Sequence, residues 1–189
     1  MTKISHILAG SIVALALGQA QAAAVNIDFS HYAPGTAISS LQGVTFAVEG
    51  NGPNGTPEIS FWGNNGLSNS TSGDYPTGNI LDFKFAGKAS DIAFAFENYG
   101  SGNGSFYTAY GANNAVLGTG VIDNQSFVNL AYTGVTELQL NNNAGGSSWI
   151  FDVRSFSANV SAVPESSNMM LMLAGLGLFA AARRRSIKH

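Results

Sequence analysis

Between residues 25 and 161 the chain never sustains a helical repeat; short runs with a period of two recur instead, cut by turn formers every 8 to 14 residues. Leu81, Phe83 and Phe85 alternate with Asp82 and Lys84, Ile92, Phe94 and Phe96 share a second face, and Leu138 and Leu140 oppose Glu137 and Gln139. Successive side chains of a strand point to opposite faces, so each run has an apolar side and a more polar side, as antiparallel sheets require.

Ten strands are predicted, over residues 25–29, 44–48, 58–62, 80–86, 91–97, 105–110, 115–118, 126–131, 135–141 and 148–157. The connections Asn51-Gly52-Pro53-Asn54-Gly55, Asn64-Asn65-Gly66, 100–104 and 141–146 are rich in residues that tolerate positive φ. About ten short strands in two sheets predict an all-β fold, an antiparallel β-sandwich of jelly-roll-like form. An N-terminal signal helix and a C-terminal apolar helix are expected to flank it.

Those flanks differ in kind from the middle. Lys3 and His6 precede an apolar stretch over 7–17, and Ala20-Gln21-Ala22 fits the small-residue rule for signal-peptide cleavage, with Ala22-Ala23-Ala24 as a second site. At the other end, Val163-Pro164-Glu165 leads into an apolar run of 14 residues, 169–182, closed by Arg183, Arg184 and Arg185. As a helix that run is about 21 Å long, short for a bilayer core of about 30 Å but extended by long arginine side chains that reach the interface. The positive-inside rule keeps the arginines in the cytoplasm and everything before Val163 outside. Three segments are therefore expected: a signal peptide at 1–24, a β ectodomain at 25–161 and a sorting tail at 162–189.

The tail resembles the PEP-CTERM sorting signal of Gram-negative bacteria. The residues that carry the resemblance are Val163-Pro164-Glu165, Leu173-Ala174-Gly175-Leu176-Gly177-Leu178 and the triple arginine; Ser166 stands where the second proline of that signal usually sits. The resemblance covers the last 27 residues. It implies recognition of Val163, Pro164 and Glu165 by an exosortase-type processing enzyme, a transient membrane anchor, and delivery to the cell surface or the exopolysaccharide (biofilm) matrix. The logic parallels a lipid-anchor signal whose apolar tail is removed during sorting. The spacing of Asp28-Phe29 to Gly43-Val44-Thr45-Phe46 is similar to jelly-roll ectodomains found ahead of such signals.

With both ends set aside, ten acids face only Lys84, Lys88 and Arg154, a net charge of −7 against −3 for the whole chain. So acidic a surface repels phosphate backbones, and nucleic acid is excluded as a partner. Cysteine is absent, which removes thiol nucleophiles, disulfides and Cys-based metal sites together.

No residue pattern argues for catalysis, and the protein is expected not to be an enzyme. His31 is the one histidine of the middle segment, no Gly-x-Ser-x-Gly elbow accompanies it, and it reads as a solvated loop residue. Glu49, Glu58, Glu97 and Asp152 lie at or near strands, where a converging pair would be needed for glycoside hydrolysis. No cofactor is expected; calcium is the cation best suited to the loops, through Asp28, Asp74 and Asp152, but ordinary turn and edge acids are the simpler account of these. The aromatics offer a different chemistry. Trp62 and Tyr75 are the best placed to stack on sugar rings, whereas Trp149, beside Ile150 and Phe151, reads as core. Two functions remain: a structural or adhesive surface protein, and a lectin-like module that binds exopolysaccharide.

Overall fold

The computed structural model describes residues 22–50, 54–61, 65–71, 80–98, 105–122, 127–142, 151–161 and 175–176. Nine strands form within them: β1 (Ala23–Asp28), β2 (Ser40–Leu41), β3 (Val44–Glu49), β4 (Leu67–Ser68), β5 (Ile80–Asn98), β6 (Ser105–Tyr110), β7 (Val116–Val121), β8 (Val128–Asn142) and β9 (Phe151–Val160). Every pairing is antiparallel. The strand order is β1-β9-β5-β8-β6-β7, with β3 also on β5, β2 on β3 and β4 on β9. The all-β, antiparallel expectation is met. The two-residue strands β2 and β4 were not foreseen, because two residues carry no period.

Two pairs of predicted strands are each one strand. Residues 80–86 and 91–97 belong to β5, and 128–131 and 135–141 to β8. The first half of β5 pairs with β3, its second half with β9, and β8 runs alongside both. Between the halves the register slips at Lys84/Ala89, Ala89/Ser90 and Ser90/Ile92. Such bulges bend a strand without ending its ladder.

Local chemistry places the bends. Gly134, at φ +77°, supplies the left-handed residue in β8 opposite the slip in β5, and Asp91 takes φ +51° within it. The Asp91 carboxylate accepts from Ser90 Oγ at 3.1 Å and Asn159 Nδ2 at 2.9 Å, holding that conformation. Gly87 has a different reason to be glycine: a Cβ there would collide with the backbone oxygen of Ser161.

The bends bring the two wings of the sheet together. Phe83 and Phe94 are eleven residues apart on β5, about 36 Å along a straight strand. Phe156 is the cross-strand partner of Phe94, yet its ring stacks on Phe83 with centroids 5.0 Å apart. The chain therefore turns back so that the inner faces of the wings meet. Phe29, Phe46 and Phe83 continue the contact edge to face, at 5.7 and 5.3 Å. One core results, drawing on β1, β3, β5, β8 and β9, with Phe29, Phe83, Phe94, Phe151 and Phe156 among its largest fully buried side chains.

The ends of this body lie side by side, since Ala23 of β1 pairs with Val160 of β9. Of the apolar tail only Gly175 and Leu176 are described, helical and exposed. Among the described residues no helix is long and apolar enough to cross a membrane. The expected signal helix lies outside them altogether, as does the rest of the C-terminal helix.

Candidate functional site

A shallow depression of about 330 Å³ opens on the outer face of the β1–β9–β5 wing, lined by Asn26, Asp28, Ala93, Phe127, Ser155 and Ser157 with Ile27 and Phe156 beneath. Alternation explains its lining. Val25 and Ile27 turn into the core, which leaves Asn26 and Asp28 outside. Phe156 and Ala158 do the same on β9, leaving Ser155 and Ser157. Phe127 precedes β8 on the opposite face from buried Val128 and Leu130, and 54 % of it is exposed. The depression thus sets one bare aromatic face among two hydroxyls, an amide and a carboxylate.

Asp28 is held at its rim. The carboxylate accepts from Ser30 N at 3.0 Å and Ser30 Oγ at 2.6 Å, capping the 3-10 turn Phe29–His31. These Ser30 hydrogen bonds, with smaller help from His31 and Arg154, hold the Asp28 carboxyl below the usual range. His31 Nδ1 lies 3.3 Å from the other carboxylate oxygen and is well exposed. Ser30 and His31 both turn to Asp28 and not to each other, so the three do not make the serine-to-histidine relay of a nucleophilic triad.

The outer face of the other wing carries a charged cluster. Across β3, β5 and β8 the registers align Ala47, Asp82 and Gln139 in one row and Thr45, Lys84 and Glu137 in the next. Lys84 Nζ sits 2.6 Å from Asp82 and 3.1 Å from Glu49, and Gln139 Nε2 donates to Glu137 at 2.7 Å. Alternation put Asp82 on the polar face, which is correct, but that side chain is fully buried there while Lys84 stays half exposed. Burial pushes the Asp82 carboxyl up to about 7, opposed by Lys84 and aided by Glu137 and Glu49. The contact with Asp82 raises the lysine in turn.

Other predicted residues have mixed fates. Glu97 and Asp152 are brought together as cross-strand partners on β5 and β9. Directly opposed residues place their Cβ atoms about 4.5–5.5 Å apart. Asp152 is nevertheless fully buried beneath Gly66, where an added Cβ would stand 2.6 Å from its carboxyl carbon, so no sugar chain reaches both groups. Glu58 uses its backbone oxygen to hold Ser68, and Glu49 pairs with Lys84. Of the calcium candidates, Asp28 caps a turn, Asp152 is buried on β9 and Asp74 lies outside the described residues. Among the described residues no three His, Cys, Asp or Glu side chains gather as a metal site. Trp62, Tyr75, Val163, Pro164, Glu165, Arg183, Arg184 and Arg185 all lie outside them too.

The depression itself was missed. Its signal was present in Phe127, which shares a face with Asn129 while Val128 and Leu130 take the other, but what joins that face depends on β9 and β1. Compared with known protein families, the chain matches none, and no curated protein matches it either.

Proposed function

We propose that the protein is exported, held briefly in the inner membrane by its tail, and delivered to the cell surface or exopolysaccharide matrix of a Gram-negative bacterium, where it acts as a structural or adhesive, non-enzymatic component. The observation that carries this reading is the order of Val163-Pro164-Glu165, an apolar run and Arg183-Arg184-Arg185. The ectodomain is then a jelly-roll-like β-sandwich; the facing wings joined through β5 and β8 support that form. The pairing of Ala23 with Val160 also supports a leader, a domain and a tail, because the first and last strands of the sheet lie side by side, although β1 already begins at Ala23, inside the expected 1–24 segment.

Ala23 and Ala24 both belong to β1, so cleavage after Ala22 keeps the strand whole, whereas cleavage after Ala24 would strip two ladder positions. The intact mass of protein recovered from cells and medium is expected to show a chain beginning at Ala23 and lacking the apolar tail. Deleting Arg183, Arg184 and Arg185 should misorient or release the precursor. A recovered chain that keeps both ends, or an arginine deletion that matures normally, would count against the proposal.

A second reading, carbohydrate binding within that matrix, is favoured by the depression around Phe127. An exposed ring stacks on the apolar face of a sugar, and Ser155, Ser157 and Asn26 offer hydrogen bonds at its edge. A polysaccharide pull-down distinguishes the candidates. Retention lost in Phe127→Ala assigns binding to the depression, and retention lost in Trp62→Ala assigns it to Trp62. Wild-type protein that is not retained leaves the structural role alone.

A further inference from the structure

The depression around Phe127 has a charged frame, and the frame decides which sugars it admits. On β5 the buried side chains of Ile92, Phe94 and Phe96 leave Asp91, Ala93, Ala95 and Glu97 on the outer face. Ser157 of β9 stands opposite Ala93 on one side and Asn26 on the other, and Ser155 stands opposite Asp28. Ala93, Ser155 and Ser157 therefore make a low floor between Phe127 and the β1 residues Asn26 and Asp28. Asp91 and Glu97 flank that floor along β5, two residues before Ala93 and four after it. Among the described residues no cation lines the depression. Arg154, beside Ser155 on β9, is exposed, and of the groups that hold the Asp28 carboxyl down it acts least.

The carboxylates of the frame are partly committed. Asp28 Oδ1 accepts from both Ser30 N and Ser30 Oγ, and Oδ2 faces His31 Nδ1. A carboxylate has about four lone-pair sites, so Oδ2 keeps one for a further donor. Asp91 Oδ2 accepts from Ser90 Oγ and Asn159 Nδ2. Groups held in this way suit a hydroxyl, which brings one neutral donor, better than an ammonium ion that needs a whole counter-charge. Any anion brought among them is repelled. The ten acids of residues 25–161, set against three basic residues, extend that repulsion beyond the depression. We propose that the depression takes an uncharged glycan, with a sugar ring stacked on Phe127 and a sugar hydroxyl donating to Asp28 Oδ2, and that uronic-acid polymers are turned away. This inference rests on the carbohydrate reading of the same depression and adds the class of sugar and the carboxylate that receives it.

Affinity electrophoresis of the full chain tests this, in a polyoxyethylene detergent that carries no sugar headgroup. Each native gel contains one polymer. Laminarin, hydroxyethylcellulose and galactomannan are the uncharged probes, alginate and polygalacturonate the acidic ones, and glycol chitosan the cationic one. At physiological salt, wild type is expected to be retarded by at least one uncharged polymer and by neither acidic one. Phe127→Leu keeps an apolar side chain but loses the ring face, so it should abolish the retardation, and Phe127→Tyr should keep it. Asp28→Asn leaves an oxygen for Ser30, so the turn survives, but puts an amide NH2 in place of Oδ2. It should weaken binding about tenfold, the loss expected for one hydrogen bond to a charged group. Retardation by an acidic polymer, or by glycol chitosan in preference to the uncharged ones, that disappears in Phe127→Leu overturns the inference while carbohydrate binding at the depression stands. Undiminished binding in Asp28→Asn overturns it as well. If no gel shows retardation that depends on Phe127, the inference falls together with the reading beneath it.

Discussion

Phe83→Ala is expected to destabilise the fold by about 3–5 kcal/mol, the usual cost of emptying a buried phenylalanine site. Phe83 is fully buried and touches both wings: its ring meets Phe46 edge to face at 5.3 Å and stacks on Phe156 at 5.0 Å. The backbone beneath it is braced by β3 on one side and β8 on the other, so the cavity cannot collapse easily. Against a total of roughly 5–15 kcal/mol for a domain, such a loss lowers the melting temperature by on the order of 10 °C. Phe127→Ala, at an exposed position, should change stability by no more than about 0.5 kcal/mol. Thermal or urea unfolding measures both. Because Phe83 and Phe156 stack, their double alanine variant should cost less than the two single losses combined. Equal effects of Phe83→Ala and Phe127→Ala would mean that the wings do not share a core.

Lys84→Met is expected to be costly above neutral pH and mild below it. The Asp82 carboxyl, raised from its ordinary 3.8 to about 7, binds its proton more tightly in the folded chain than in the unfolded one. Its contribution to stability is therefore full below pH 4 and declines as pH rises towards 7, the sign required when the folded state holds the extra proton. Lys84 moderates that decline by facing the ionised carboxylate at 2.6 Å, and Glu49 and Glu137 deepen it. With methionine in place of the cation, a buried carboxylate loses its counter-charge, a change that costs about 3–5 kcal/mol in comparable sites. At pH 5 the carboxyl is protonated and most of that cost disappears. Asp82→Asn should do the reverse and flatten the profile. Melting temperatures from pH 5 to 9 test the set: parallel curves for wild type, Lys84→Met and Asp82→Asn would refute the arrangement.

Local patterns revealed most of the strands because a strand's inward face is set by backbone geometry alone. Val25, Ile27, Val44, Phe46, Leu81, Phe83, Leu138 and Leu140 lie at alternate positions, and all are buried. The predicted strand at 58–62 makes only isolated bridges over its described residues, at Glu58 and Ile59, and boundaries were misread at 86–91 and 131–135. There the turn formers Gly87 and Gly134 mark bends, and nothing local distinguishes a bend whose ladder continues on neighbouring strands from a true chain reversal. Site chemistry was less legible still. The depression unites Asn26, Phe127 and Ser155 from three separate stretches of chain.

The sequence by itself determined the alternation of faces, the acidic and cysteine-free character of the domain, and the apolar runs near both ends with the triple arginine after the second, since each is a property of neighbouring residues. The tertiary structure decided which outward residues are solvated and which are enclosed. Asp82 and Lys84 share a face and a strand, yet one is buried and the other half exposed, because burial depends on what β3 and β8 place beside them. The same holds at the β1 edge, where Gln42 arrives from elsewhere in the chain to take both backbone hydrogen bonds of Asn26.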